Sequence, residues 1–202
     1  AEAIDVTTIQ NPTNKGYDIL GNALRLRENA FNLDGSGYAE VADSDSLDFG
    51  TGEFTFDGWA KYSFLYQGSA VNVIYGNGGA SNSTASFSIN TILGGKVRTY
   101  VGGGSAVELD LSLADGDWFY YAITRDSNSL CTLYAAKSSE DLISTTFTRT
   151  NSLSNASNKQ IGRDTDIARF YQNLIDDTRI YNRALSQKEI TNNYKIGLRT
   201  HS

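Results

Sequence analysis

Methionine is absent from this chain, and proline, cysteine and histidine occur once each, at Pro12, Cys131 and His201. A single cysteine cannot close an intramolecular disulfide, so the fold must stand on its apolar core, with at most a bound ion to help. A single histidine at the second position from the C-terminus, where a chain is expected to fray, argues against a Ser-His-Asp triad and a histidine-rich metal site. No Lys/Arg cluster interrupts the balance of 23 acidic against 17 basic residues, net charge -6, so nucleic acid is not an expected partner. No apolar run approaches the roughly 18 residues of a membrane span, so no membrane insertion is expected. Residues 1–10 also lack the basic start and apolar centre of a secretory signal. The missing initiator methionine is expected of a processed chain or a segment of a longer protein.

What is abundant points to strands. Twelve Tyr, nine Phe and 19 Gly are the composition of many strands joined by glycine and asparagine turns, and 202 residues suit one all-β domain. Residues 54–66 put Phe54, Phe56, Gly58, Ala60, Tyr62, Phe64 and Tyr66 on one side of a period of two, which predicts a long strand. Residues 23–28 and 38–42 read as two strands around the tight turn Asp34-Gly35-Ser36-Gly37. Further strands are expected over 71–75, 86–93, 96–101, 107–113, 118–125, 130–136, 160–163 and 174–181. One helix is expected from Gln187 to about Lys195, ending near Gly197, because Ser186-Gln187-Lys188-Glu189 has the spacing of a capping box with Leu185 and Ile190 at staple positions.

Three segments in order resemble the laminin-G-like jellyroll branch of the concanavalin A-like lectin/glucanase superfamily. The first runs through Ala23-Leu24-Arg25-Leu26, Phe31-Asn32-Leu33-Asp34-Gly35 and Tyr38-Ala39-Glu40-Val41 to Phe54-Thr55-Phe56-Asp57-Gly58-Trp59-Ala60. The second is Asp117-Trp118-Phe119-Tyr120-Tyr121-Ala122 with Leu133-Tyr134, and the third is Ile161-Gly162-Arg163 followed by Ile175-Asp176-Asp177-Thr178-Arg179-Ile180-Tyr181 and Leu185-Ser186. The resemblance implies an all-β, two-sheet antiparallel jellyroll β-sandwich with one short C-terminal helix over residues 21–202. Residues 1–20 then form an N-terminal arm or a first strand. Trp59 and Trp118 match core-strand tryptophans of the family and are expected to pack. Residues 135–139 and 172–174 depart from the family pattern.

The fold hosts lectins, adhesion domains, glucanases and virion proteins, so the site must decide the function. The paired-carboxylate pattern Glu-x-Asp-x-Glu is missing, and Glu53 and Asp57 stand about 13 Å apart by strand rise, too far for retaining hydrolysis. Cys131 has no base beside it. Aromatic rings that stack on sugar C–H faces, with polar groups for the hydroxyls, are plentiful. Tyr66, Tyr75, Tyr100 and Tyr171, with Asn77 and Asp164, are the expected ligand-binding residues. The expected function is a non-catalytic carbohydrate-binding or adhesion domain for a glycan or polysaccharide, located extracellularly or on a virion. The alternative is a structural virion or cell-surface component, such as a phage decoration or tail-fibre domain, that packs against protein neighbours. The resemblance further implies a structural calcium ion between the Asp34-Gly35 turn and Asp176.

Overall fold

The structure is a computed structural model that describes residues 8–10, 17–20 and 23–26 as backbone, and residues 30–64, 71–77, 85–164 and 169–201 with side chains. Its strands are β1 (Thr8–Gln10), β2 (Tyr17–Leu20), β3 (Ala23–Leu26), β4 (Phe31–Asp34), β5 (Tyr38–Val41), β6 (Phe54–Lys61), β7 (Val71–Gly76) and β8 (Phe87–Ile92). They continue with β9 (Lys96–Val101), β10 (Val107–Asp110), β11 (Trp118–Arg125), β12 (Leu130–Lys137), β13 (Ile143–Thr148), β14 (Lys159–Ile161) and β15 (Gln172–Tyr181), and helix α1 (Gln187–Gly197) follows. One sheet has the order β1-β5-β14-β7-β8-β9-β10, the other β13-β12-β11-β6-β15-β4, and β2 pairs with β3. Every pairing is antiparallel. The chain is therefore the expected all-β sandwich, and residues 8–10 of its N-terminal segment extend the edge of the seven-stranded sheet.

Side-chain alternation explains the two layers. On β6, Phe54, Phe56 and Ala60 enter the inter-sheet core with Phe87, Ile89, Phe119, Tyr121 and Ile123. The opposite face of β6 is buried as well, because α1 lies across it. Trp59 joins Tyr120, Ala122, Tyr134 and Ala136 from the sheet and Leu185, Ile190 and Tyr194 from the helix segment in a second cluster. Burying side chains of this size contributes about 1.5–3 kcal/mol each, which fixes the helix on the sheet. The cap is as read from the sequence: the Ser186 amide donates to Glu189 Oε2 at 2.8 Å and the Glu189 amide to Ser186 Oγ at 3.4 Å. At Gly197 a Cβ would collide with the Trp59 indole, so the helix can end against the tryptophan only with glycine there.

Several expectations are corrected. The strand over 54–66 ends at Lys61; beyond it the Tyr62 amide donates to Asp117 O at 2.7 Å and Phe64 is exposed. The Asp34-Gly35-Ser36-Gly37 turn does not join a hairpin. Asp34 Oδ1 accepts from the Ser36 and Gly37 amides at 2.8 and 3.0 Å, Gly35 takes φ 85°, and the chain passes from β4 in one sheet to β5 in the other. The segment over 23–28 pairs through Ala23–Leu26 with Tyr17–Leu20 instead. Strand β13, rich in Ser and Thr, was not expected; it is an edge strand held by β12. His201 is not frayed. It is 2% exposed, stacked on Trp59 at 4.8 Å and 9°, with Nδ1 2.8 Å from Gly197 O and Nε2 3.0 Å from Asp176 Oδ2.

Candidate ligand-binding face

Helix α1 packs on the side of the six-stranded sheet turned away from the core, around Trp59 and Tyr120; the other outward side of the sandwich belongs to the seven-stranded sheet. There the pleat sends Val97 and Val101 of β9 inward and Lys96, Arg98 and Tyr100 outward. The same parity places Tyr38 and Glu40 of β5, Gln160 of β14 and Ser88 and Asn90 of β8 on the outer side of the sheet, where Tyr38 and Glu40 are half-buried and Gln160, Ser88 and Asn90 are buried. Ladder partners run Glu40, Gln160, Gly76, Ser88, Tyr100 across five strands. Four strand spacings separate β5 from β9, about 19 Å.

At one end of this row Arg98 donates from Nε to Asn90 Oδ1 at 2.7 Å and lies over the Tyr100 ring, 5.0 Å from its centroid. At the other end Arg163 lies over two rings, Tyr38 at 4.7 Å and Phe170 at 5.3 Å. These arginines and rings are all partly exposed. Between them Gln160 Nε2 donates to Glu40 Oε2 at 2.5 Å and Asn158 Nδ2 to Glu40 Oε1 at 2.9 Å. Gln160 Oε1 and Arg163 Nε are buried without a hydrogen-bond partner among the described residues. The connection from β14 to β15 is pinned at its base, with Tyr171 N donating to Gly162 O at 2.8 Å and Asp164 N to Arg169 O at 3.0 Å. Burial lowers the Arg98 pKa, and the Arg169 charge pushes it the same way, while Tyr100 and Glu108 oppose. A guanidinium stacked on a ring keeps its N–H edge for acceptors, so the face offers planar stacking surfaces and directed donors together.

The expected site residues divide. Tyr100 belongs to this face, and Asp164 is buried at the base of the connection beside Arg163. Tyr75 and Tyr171 turn inward instead of reaching solvent at strand ends: Tyr75 packs at 4.3 Å from Phe56 and 4.8 Å from Phe87, and Tyr171 donates to Lys61 O at 2.9 Å. Burial raises both phenol pKa values. Asn77 is a buried clamp that accepts from the Phe87 amide at 2.5 Å and donates to Leu153 O at 3.4 Å. Tyr66 lies outside the described residues. The sequence reading missed Arg98 and Arg163; the signal at hand was Arg98 two residues from Tyr100, hence on one face of a strand.

The residues expected to hold calcium are not brought together. Asp34 pairs in the ladder with Gln172, four residues from Asp176 and about 13 Å by strand rise. Asp34 Oδ1 closes its own turn, which lowers the pKa through hydrogen bonds from Ser36 and Gly37. Asp176 Oδ1 accepts from the Asp177 amide at 2.7 Å, and Oδ2 faces His201. Gly35 takes φ 85° in that turn. Among the described residues no group of three or more His, Cys, Asp or Glu is placed to hold a metal ion. A different cation centre is built in at the rim. Lys159, 1% exposed, directs Nζ to Asp43 Oδ1 at 2.7 Å, Ser157 O at 2.7 Å, Asn155 O at 3.1 Å and Asp48 Oδ1 at 3.5 Å.

Burial pushes up the carboxyl of Asp57, the state a general acid would need, but the group is sealed under α1. Its Oδ2 accepts from the Tyr120 hydroxyl at 2.7 Å, Asn193 Nδ2 at 2.9 Å and Arg179 Nη1 at 3.1 Å. Cys131 is buried in the core and its thiol is pushed up to about 11 by burial, which leaves it unreactive.

A family model described as the concanavalin A-like lectin/glucanases superfamily matches residues 33–191. Among solved structures, the CBM40 of the Ruminococcus gnavus IT-sialidase bound to α2,3-sialyllactose is similar, with TM-score 0.54 and 16% identity over 70% of this chain and 82% of that one. The binding domain of paraclostridial mosquitocidal protein 1 gives 0.59 and 18% over 93% of this chain and 47% of that one. The binding domain of botulinum neurotoxin DC, in complex with rat synaptotagmin II, gives 0.57 and 16% over 95% and 46%. The chain thus spans about half the length of these toxin domains. At such identities the likeness shows the fold. A search of curated proteins gives no match.

Proposed function

Because the chain belongs to the concanavalin A-like lectin/glucanases superfamily, we propose that it is a non-catalytic glycan-binding domain whose saccharide lies on the outer face of the seven-stranded sheet. The observation that carries this reading is the pair of arginine–aromatic platforms, Arg98 on Tyr100 and Arg163 on Tyr38 and Phe170, at the two ends of a polar row. Rings take sugar C–H faces, and the half-buried guanidinium groups take hydroxyls. A shared fold with a module that holds sialyllactose is consistent with it. The carboxylates argue for binding without catalysis. Glycoside hydrolysis needs two carboxyl groups facing one bond, whereas Asp57 is sealed and both Glu40 oxygens are already engaged. A glycan-binding domain of this kind works at the outside of a cell, where polysaccharide is met.

Glycan-array screening followed by calorimetry tests the reading. Tyr100→Ala and Tyr38→Ala should each weaken binding by about 1 kcal/mol, roughly fivefold. Silence across broad arrays, or affinity unchanged in both variants, overturns it.

A further inference from the structure

Strand β13 closes one edge of the six-stranded sheet, and among the described residues no strand pairs with its outer side. Exposed edges are normally blunted by a charged side chain, a proline, a bulge or brevity. Ile143-Ser144-Thr145-Thr146-Phe147-Thr148 has none of these: it is six residues long, uncharged, free of proline and glycine, and in unbroken register with β12. The nearby edge of the other sheet differs, because β10 exposes Glu108 and Asp110. Which groups of β13 are open follows from its ladder. The Arg149 amide donates to Ser129 O at 3.0 Å, so the odd-numbered residues bond to β12, and the even-numbered Ser144, Thr146 and Thr148 turn their N–H and C=O groups to the free side. Thr148 O already accepts from Arg149 Nη1 at 2.8 Å, which marks the end of the open stretch.

We propose that β13 is the surface through which two copies of this chain associate, antiparallel about a two-fold axis at Thr146. That register sets open groups against one another: Thr146 exchanges both ladder bonds with its copy, and the Thr148 amide reaches Ser144 O across the axis. On the core side Phe147, only partly buried within one chain, stands opposite Thr145 of the other copy. The charges agree as well. Glu140 and Asp141 are exposed just before the strand, and Arg149 follows it with its guanidinium held by the carbonyls of Val101, Thr148 and Ser105 and by no carboxylate among the described residues. Antiparallel pairing brings the acidic start of one segment beside the basic end of the other, whereas two β10 edges would meet acid to acid. A two-fold axis through an antiparallel ladder stands perpendicular to the sheet, so α1 of both copies lies on one side and both seven-stranded sheets on the other. Both candidate glycan faces then point the same way, although the pairing itself does not depend on what they bind.

Sedimentation equilibrium on the folded chain, from about 1 μM to about 1 mM, tests this and should show a reversible monomer–dimer equilibrium. Thr146 is exposed, so Thr146→Lys and Thr146→Glu leave the core of each chain intact while setting like charges against each other across the axis. Each variant alone should dimerise roughly tenfold more weakly or not at all, and an equimolar mixture of the two should associate again as a mixed dimer. A chain that stays monomeric throughout overturns the proposal. So does a dimer that neither variant weakens, which places the contact elsewhere, or a mixture of weakened variants that fails to associate. Should a variant not fold, hydrogen exchange on the unaltered protein decides the matter. The Ser144, Thr146 and Thr148 amides should be protected at high concentration and exchange freely on dilution, while those of Thr145 and Phe147, bonded to β12, stay protected at both. Exchange at Thr146 that is the same at both concentrations refutes the proposal.

Discussion

Asp57 is fully buried beneath α1 with three hydrogen-bond donors on one oxygen, and replacing it with alanine should be among the costlier single changes in this chain. Three donors converge on Oδ2, from Tyr120, Asn193 and Arg179, at 2.7, 2.9 and 3.1 Å. The variant removes the acceptor that all three share under α1. Leaving a buried donor unsatisfied costs about 1–3 kcal/mol, and breaking a buried ion pair from one side about 3–5 kcal/mol. These overlap, because Arg179 retains a contact with Asp177 at 3.6 Å and Asp57 is itself penalised by burial. A loss of about 4 kcal/mol is therefore expected, against roughly 5–15 kcal/mol for a whole domain. For a chain of this length that is a fall in Tm of about 8–16 °C. Thermal and urea unfolding measure it, followed by tryptophan fluorescence, since Trp59 packs on Tyr120 and Tyr194. The double change Asp57→Leu with Arg179→Met should recover more than half of the loss, because it leaves no charge stranded. A loss below about 1 kcal/mol, or a double variant as unstable as the sum of its parts, would refute the reasoning.

Lys159→Ala should destabilise the chain by about 2–4 kcal/mol, because two carboxylates and two carbonyls lose their shared cation; urea unfolding reads the change, and a shift below 0.5 kcal/mol would contradict it. Cys131, with its thiol raised to about 11, should resist a thiol reagent at pH 8 in native protein and react fully in urea. Glu189, held by Arg183 and by Ser186, should titrate at about 2 by carbon-detected NMR, against 4.5 for a free group. Since its folded value is the lower one, the stability it contributes is present above 4.5 and fades as the pH falls towards 2; a midpoint near 4.5 would show that the capping contacts do not form in solution.

The parts of this fold that could be read in the sequence are those set by local period and local chemistry. Phe54, Phe56 and Ala60 announce their strand by alternation, and Ser186 with Glu189 announces the helix start, because both signals lie within a few residues of their effect. Strand β13 could not be read this way. Its Ser and Thr residues carry no apolar stripe, and it is a strand only because β12 offers it an edge. The tyrosines show the same limit at the site. Tyr75 and Tyr100 both stand in strands of the seven-stranded sheet, and one faces inward and the other outward; the register shift between Val73 and Tyr75 that accompanies this is set by pairing with β8, not by neighbours in the chain. His201 illustrates the point from the terminus, since its burial depends on Trp59 and Asp176, which are distant in sequence.

Lys159 changes what the rim of the sandwich demands of its surroundings. Loops that are organised by a diffusible ion are only as ordered as the ion is abundant, since its contribution follows concentration over Kd. An ammonium tethered to β14 is present at a stoichiometry of one in every molecule from the moment of synthesis. It cannot be diluted away, captured by a chelator or exchanged for a competing metal. The loops bearing Asp43, Asp48, Asn155 and Ser157 are therefore tied together by a charge that the chain itself supplies.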